Sequence, residues 1–126
     1  MIKLSVDKIM GLHAKMTSAT GGEPNIRDRG LLESATLSPY ACFMGVEAYP
    51  TIKEKGARLG YSLISNHAFM DGNKRIGVYA MLVFLIANGI KINPTCAQVE
   101  EIALSVASGE KGYDDIVEWI EKVEIK

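Results

Sequence analysis

Residues 67–88 read HAFMDGNKRIGVYAMLVFLIAN, a polar turn that leads into the most apolar stretch of the chain. The apolar stretch 76–87, which contains no charged residue, is 12 residues long, well short of the roughly 20 apolar residues that span a bilayer. A helix that is apolar on all faces is buried in a protein core, and Gly89 is a typical left-handed terminator. The sequence therefore predicts a buried helix over 74–88 at the centre of a helical bundle.

The rest of the chain carries repeated helix-start signals and few strand patterns. Four positions have N-cap residue types, and two of them also have the spacing of a capping box. The predicted caps are Ser5, Asp28, Thr51 with Glu54, and Thr95 with Gln98. The predicted helices that they begin end in turn between 17 and 22, before Pro39, at Asn66 and at Ser108, and a last helix spans 113–123.

These signals predict an all-α fold, a single domain over 1–126 whose six helices form a bundle with the buried helix at its centre. Residues 40–50 have mixed character and no helical period. We allow a short hairpin or an irregular flap there. No internal repeat interrupts the pattern, so one core is expected for a chain of this length.

The composition of the chain excludes several classes of protein. The 126 residues are 48% hydrophobic and 23% charged, which is typical of a folded globular domain. The net charge of −1 provides no bulk attraction to nucleic acid or to anionic lipid, so neither partner is expected directly. Cys42 and Cys96 are too few for a disulfide framework and lie in no zinc-binding pattern. Lys3 and Asp7 interrupt any signal-peptide core, and we expect a cytoplasmic protein.

The chemistry of the sequence is concentrated in residues 67–75. The first N–H groups of a helix have no intrahelical partners, so the backbone of 72–75 can bind an anion, and Gly72 lets a phosphate approach closely. Lys74 and Arg75 are cations at the positive end of a helix dipole. Their placement there costs stability unless an anion lies between them, which indicates a phosphate site.

Two further residues of this segment have side chains suited to phosphate chemistry. Asp71 offers a carboxylate oxygen to Mg²⁺, which binds through one or two carboxylates together with substrate phosphates and water. His67 has a side chain that can accept a proton from an attacking hydroxyl near neutral pH. No second histidine or cysteine stands at ligand spacing, so a transition metal is not expected.

Each of these residues also has a purely structural interpretation. Asp71 or Asn73 could cap the central helix, Lys74 and Arg75 could form a solvated surface, and His67 could simply end a helix. Taken singly, the structural interpretation is favoured for each. The combination of a base, a carboxylate, a glycine and two cations within nine residues favours a phosphate-handling site.

Two aromatic side chains are assigned to the interior. Phe69 is expected to anchor the segment in the core. His13 lies on the apolar face of the first helix, four residues after Ile9. We predict a buried, hydrogen-bonded histidine there rather than a catalytic one.

Residues 67–75 resemble the signature of the Fic/Doc (Fido) family, His-x-Phe-x-(Asp/Glu)-Gly-Asn-Gly-Arg followed by a second Arg three residues on. Lys74 stands where most members have the second Gly, and Val78 where they have the second Arg; both departures resemble the Doc, or death-on-curing, branch. The GLLE stretch at 30–33 and the Asn88-Gly89 helix end also look Doc-like. The matching positions are His67, Phe69, Asp71, Gly72, Asn73 and Arg75.

The resemblance implies a role for each matched residue. His67 would be the base that deprotonates a target serine or threonine, and Asp71 would bind Mg²⁺. The nucleotide phosphates of ATP would be held by Gly72, Asn73 and Lys74 through their backbone and by the side chain of Arg75. Val78 puts AMP transfer in doubt, because the second arginine of Fic proteins positions the terminal phosphate of ATP.

The resemblance also implies a function and partners. Doc-type proteins phosphorylate a threonine of elongation factor Tu with ATP and thereby stop translation, and the segment 40–50 falls where the family has its target-docking flap. No inhibitory Ser/Thr-x-x-x-Glu-(Gly/Asn) motif occurs here. Inhibition would therefore come in trans, from a Phd-like antitoxin. AMP transfer by the same site and a non-catalytic anion- or partner-binding module remain the alternatives.

Overall fold

The computed structural model describes all residues from Met1 to Lys126 and contains six α-helices and one short hairpin. The predicted all-α architecture is therefore confirmed. The helices are α1 (Val6–Thr20), α2 (Arg29–Leu37), α3 (Ile52–Asn66), α4 (Asn73–Ala87), α5 (Cys96–Ala107) and α6 (Tyr113–Val123), and the strands are β1 (Cys42–Phe43) and β2 (Val46–Glu47).

The predicted caps act as expected. The side chains of Ser5 and Asp28 accept hydrogen bonds from backbone N–H groups of α1 and α2. Thr51 and Thr95 each form a complete capping box with the residue three positions on. α1 continues to Thr20, to the far end of the expected breaking region, and ends at Gly21 with a φ of 80°. The other predicted helix boundaries hold to within one or two residues.

Helix α4 occupies the centre of the bundle, as its apolar sequence predicts. It packs against α1, α3 and α5 and has seven buried residues, six of which belong to the single hydrophobic core. The approach to α3 is close because two glycines face each other; a Cβ on Gly77 would lie only 3.0 Å from the carbonyl oxygen of Gly60. Ile86 is an exception, since the last turn of α4 emerges from the bundle and leaves this side chain exposed. No helix is both long and apolar enough to cross a membrane.

The flap, residues 40–50, contains a short hairpin, one of the two structures expected there. Strands β1 and β2 pair antiparallel, with Cys42 opposite Glu47 and Phe43 opposite Val46. The turn between them places Met44 and Gly45 at positive φ angles of 50° and 82°, which are typical of a two-residue hairpin loop. The hairpin projects from the helical bundle at the start of α3.

Candidate active site

His67 directly follows α3 and lies in the left-handed region, with φ 52° and ψ 48°. Such a conformation is costly for a residue other than glycine and persists only when the surroundings enforce it. Arg27 supplies part of that enforcement: its Nε donates to the carbonyl of His67 at 2.7 Å, and its Nη2 donates to the carbonyl of Asn66 at 3.3 Å. The imidazole is left exposed beside the rest of the segment 67–75, here called the motif loop.

Residues 25–28, an extended segment just before α2, hold the first half of the motif loop through backbone contacts. Ile26 forms an isolated antiparallel bridge with Phe69. The N–H groups of Arg27 and Asp28 both donate to the carbonyl of Ala68, at 2.8 and 3.0 Å, and the N–H of Met70 donates to a carbonyl of the same segment at 3.0 Å. These backbone bonds fix the path of the chain immediately after His67.

Asn73 closes the motif loop onto itself. Its side-chain oxygen accepts from the N–H of Phe69, and its side-chain nitrogen donates to the carbonyl of Phe69, both at 3.0 Å. The side chain is thereby committed to the loop, which leaves only its backbone for a ligand. The structural interpretation of Asn73 or Asp71 as the N-cap of α4 is wrong, because the N-cap is Gly72, with φ 76°.

His13 contacts the motif loop from the core side. It is completely buried, stacks on the Phe69 ring at a centroid distance of 3.7 Å, and its Nε2 lies 2.8 Å from the carbonyl oxygen of Asp71. Because a carbonyl only accepts, Nε2 carries the proton and donates. The predictions of a hydrogen-bonded core histidine and of a buried Phe69 are both confirmed.

The start of α4 presents unpaired donors. No protein group accepts from the backbone N–H groups of Asn73, Lys74 or Arg75. The N–H of Gly72 donates to Oδ1 of Asp71 at 2.8 Å. Three free N–H groups thus stand at the positive end of a 15-residue helix, an arrangement suited to binding an anion, and the anion site of the sequence analysis stays a prediction.

The end of α1 forms one wall of this anion site. Thr20 accepts a hydrogen bond of 2.6 Å from Nη1 of Arg75, which holds the guanidinium close to the start of α4. Gly22, with φ 117°, passes so near that a Cβ there would lie 2.8 Å from Oδ2 of Asp71. The positive φ favours glycine at position 22, and a Cβ there would also displace the Asp71 carboxylate.

Asp71 is exposed and retains an oxygen for a ligand. Oδ1 accepts from Gly72, whereas Oδ2 takes part in no hydrogen bond of the chain. No group of three or more His, Cys, Asp or Glu side chains forms a metal-binding cluster. The donor set thus fits a hard cation that takes one protein carboxylate and completes its shell with phosphate oxygens and water.

Two cavities adjoin the motif loop. One, of about 330 Å³, lies between the end of α3 and the α5–α6 connection and is lined by His67, Tyr61 and Lys111 among others, with no Asp or Glu. The other, of about 220 Å³, lies between α4 and α5 and includes Lys74 and Arg75. Both therefore present cationic groups at the site.

The largest cavity, of about 560 Å³, lies elsewhere, between α3 and α6. It contains the carboxylates of Glu54, Asp114 and Glu121 against a single lysine, which disfavours phosphate. Burial, with a smaller contribution from Glu54, raises the pKa of Tyr113 in its wall to about 12, so this phenol stays neutral. The largest cavity is therefore not at the motif loop, whereas the two smaller cavities that adjoin the motif loop contain cationic groups.

Val78 is buried, with 1% of its surface exposed. It lies one turn after Arg75 on α4 and packs in the core. No second cation therefore follows Arg75 on this helix at the anion site.

Sequence reasoning did not identify Thr20, Gly22 or Arg27 as parts of the site. The sequence predicts that His13 lies in the core, but it gives no sign of the contact with the carbonyl of Asp71. All four lie far from the motif loop along the chain and reach it only through packing. The glycine pair at 21–22 was visible, but it reads as an ordinary loop.

The sequence profile described as the Fic/DOC family matches residues 3–85, about two thirds of the chain. A "Toxin Doc" of Mycolicibacterium smegmatis is 47% identical over 74 residues, which is 59% of this chain and 57% of that protein. A "Protein kinase doc" of Escherichia phage P1 is 24% identical over 123 residues, covering 98% of this chain and 96% of that protein. The chain belongs to the Fic/Doc family.

Proposed function

We propose that this protein is a Doc-type toxin that transfers the γ-phosphate of ATP to a serine or threonine hydroxyl of a protein. The observation that carries the proposal is the set of three free N–H groups at the start of α4, placed beside Asp71, Arg75 and the exposed base His67. The names of the two relatives, a toxin and a protein kinase, support it.

The residues of the motif loop suit such a transfer. His67 takes the proton of the acceptor hydroxyl, whose oxygen forms a bond to the γ-phosphorus while the bond to the β-phosphate oxygen breaks and ADP leaves. The N–H groups of Asn73, Lys74 and Arg75 donate to phosphate oxygens, and the Arg75 guanidinium adds a positive charge. Phosphoryl transfer depends mainly on this kind of positioning and charge stabilisation.

Magnesium fits the free Oδ2 of Asp71 and would neutralise part of the phosphate charge. The chain's own contribution is to hold that carboxylate still: its backbone carbonyl accepts from His13 and its Oδ1 accepts from Gly72. The loop is thus arranged before any ligand binds, so little ordering is needed when ATP arrives.

The flap favours a protein, rather than a small molecule, as the acceptor of the phosphate. Phe43 and Met44 are 77% and 87% exposed, and the hairpin has only two residues in each strand. An extended target segment could pair with a free strand edge there. Elongation factor Tu as the target, and a Phd-like antitoxin that binds in trans, are further parts of this proposal.

The experiment follows the label of ATP into protein. Cell lysate incubated with this protein and ATP labelled at the γ-phosphate should gain label on one major protein of elongation factor size. ATP labelled at the α-phosphate should give none. Label that arrives only from the α-position would instead identify an AMP transferase.

The two rival functions separate by the same assay. AMP transfer is disfavoured because Val78 is buried in the core where an arginine would have to hold the end of the triphosphate. A non-catalytic module would bind ATP without transferring label from either position. If this protein bound ATP but transferred no label, the result would contradict the proposed enzymatic function.

A further inference from the structure

Lys55 is the only lysine or arginine that the fold buries, with 3% of its surface exposed. A charged side chain is rarely this buried unless it is paired. Lys55 also stands at the end of the first turn of α3, where the positive end of the helix dipole disfavours a cation. Burial and helix position both oppose a lysine here, so its partners must account for it.

Both hydrogen-bond partners of Lys55 belong to the flap. Its Nζ donates to Oε1 of Glu47 at 3.0 Å and to the carbonyl oxygen of Tyr49. The two charges are unequally buried, since the side chain of Lys55 is 4% exposed and that of Glu47 is 57% exposed. A carboxylate this exposed is well hydrated and gains little from an ion pair. The clearest consequence of the pair is therefore the attachment of strand β2 to helix α3.

The hairpin has no other polar attachment to the helical bundle. No further hydrogen bond or ion pair joins residues 42–47 to a helix. Tyr49 packs edge-on against Tyr113, but that contact lies beyond the hairpin. A hairpin of two short strands is at best marginally stable by itself in water. The orientation of residues 42–47 on the bundle thus depends on the bonds of Lys55.

The register of the hairpin shows what this attachment determines. Cys42 lies opposite Glu47, and Phe43 lies opposite Val46. Side chains alternate between the two faces of a strand pair, so Phe43 and Val46 share the face that Glu47 does not. Lys55 holds Glu47 against α3, which turns the other face outward. That outward face is apolar and uncovered, with Phe43 77% and Val46 69% exposed.

Helix α3 connects the flap to the proposed catalytic base. Lys55 ends the first turn of this helix, and His67 directly follows its last residue. About 18 Å of helix separates the two positions. A flap held at Lys55 therefore stands at a fixed distance from His67, whereas Lys55 itself is too far from the motif loop to contact a phosphate there.

We propose that Lys55 is a positioning residue for the protein acceptor. By holding Glu47, it keeps the apolar face of the flap uncovered and at a constant distance from His67, so that a docked target segment presents its hydroxyl to the base. This inference rests on the proposed function, because it assumes that the flap docks the acceptor. It gives Lys55 a role in acceptor binding and none in ATP binding or in the chemical step.

The test replaces Lys55 with methionine, which fills a similar space without a charge. The acceptor is the major lysate protein that gains label from γ-labelled ATP, purified for the assay. In Lys55→Met, the KM for this acceptor should rise about tenfold, because only a fraction of the flaps then holds the docking orientation. Its kcat and its Kd for ATP should stay within about twofold of the values for the unsubstituted protein.

Lys53→Met is the matched control. Lys53 lies on the same helix and also pairs with a glutamate, but its partner at 2.5 Å is Glu124 at the end of α6. This variant should leave the KM for the acceptor unchanged. Hydrogen exchange of backbone amides measures the flap directly: residues 42–47 should exchange faster in Lys55→Met than in Lys53→Met, with α4 unchanged in both.

Glu47→Gln tests the same contact from its exposed side, where the substitution does not disturb the core. It keeps an acceptor oxygen but removes the charge, so the KM for the acceptor should rise about threefold. The double variant should be no worse than Lys55→Met alone, since both changes remove one contact. Effects that multiply in the double variant would mean two separate roles and would overturn the inference.

The outcomes separate this inference from the proposed function. Equal KM values and equal flap exchange in Lys55→Met and Lys53→Met would overturn the positioning role while transfer of label itself persists. A loss of ATP affinity or of kcat as large as the change in KM would make the role of Lys55 merely structural. If Lys55→Met does not fold, an unchanged KM in Glu47→Gln overturns the inference. If the unsubstituted protein transfers no γ-label, the proposed function fails and this inference falls with it.

Discussion

The motif loop and the flap are both irregular segments next to helix α3, but they are built in opposite ways. The motif loop is held by backbone bonds to residues 25–28, by two bonds between Asn73 and Phe69, and by His13 from below. The flap is exposed from Ala41 to Ala48 and presents its apolar tip to solvent.

The flap is fixed only at its base. Buried Lys55 of α3 pairs with Glu47 of β2 at 3.0 Å and also donates to the carbonyl of Tyr49. Groups that perform chemistry must be positioned before the substrate arrives, whereas a docking segment needs free edges and uncovered side chains. The rigid motif loop is therefore suited to chemistry, and the exposed flap is suited to docking a partner.

The largest expected effect comes from removing the proposed base of the motif loop, His67. His67→Ala should reduce phosphate transfer about 10²- to 10⁴-fold, because general base catalysis contributes that much. Growth arrest caused by the protein alone should disappear as well. Circular dichroism should show an unchanged fold, since the His67 side chain is exposed. Equal toxicity of the folded variant would contradict the catalytic role.

Asp71→Ala should remove the magnesium dependence of ATP binding and lower the transfer rate roughly 100-fold. ATP is titrated with and without Mg²⁺ against each variant. Asp7→Ala is the control, since Asp7 is also exposed but lies in the first turn of α1. If magnesium strengthens binding equally in all proteins, Asp71 serves only the loop structure.

Asn73→Ala tests whether the motif loop must be rigid. It leaves both backbone groups of Phe69 without their side-chain partner, which should lower the free energy of unfolding by about 2 kcal/mol. The transfer rate should fall at least about tenfold, because misplacement of reacting groups is costly. The exposed Asn93→Ala should change neither quantity. Full activity in Asn73→Ala would show that the loop tolerates disorder.

Phe43→Ala tests the flap side of the comparison. Stability should stay within about 0.5 kcal/mol, as expected for an exposed side chain, and ATP binding should not change. Phosphorylation of the protein target should fall several-fold through weaker docking. Leu37→Ala removes a similarly exposed apolar side chain from α2 and should leave target phosphorylation unaffected. An equal loss in both variants would argue against the flap as the docking segment.

The smallest effect is expected at the wall formed by the end of α1. Thr20→Val removes the acceptor for Arg75 and should weaken ATP binding about threefold. Thr20→Ser keeps the hydroxyl and should restore wild-type affinity. A loss in the serine variant as large as in the valine variant would assign the effect to packing.

Much of the fold was predictable because its determinants are local. The N-cap residues Ser5, Asp28, Thr51 and Thr95 form the expected hydrogen bonds within their own first turns, so three or four residues of sequence suffice to identify them. The apolar run of α4 likewise reveals its burial without knowledge of its neighbours. The contiguous motif loop revealed most of the candidate site for the same reason.

The tertiary structure decided which residues hold that site in place. Thr20, Arg27 and His13 contact the motif loop across 40 to 58 residues of sequence, and nothing in their local patterns indicates those contacts. The position of α5 likewise brings Glu100 and Leu104 next to Lys74 and Arg75. Sequence by itself determined the helices and the reactive groups, because caps and helix starts are local; only packing determined the walls around them, because those depend on long-range contacts.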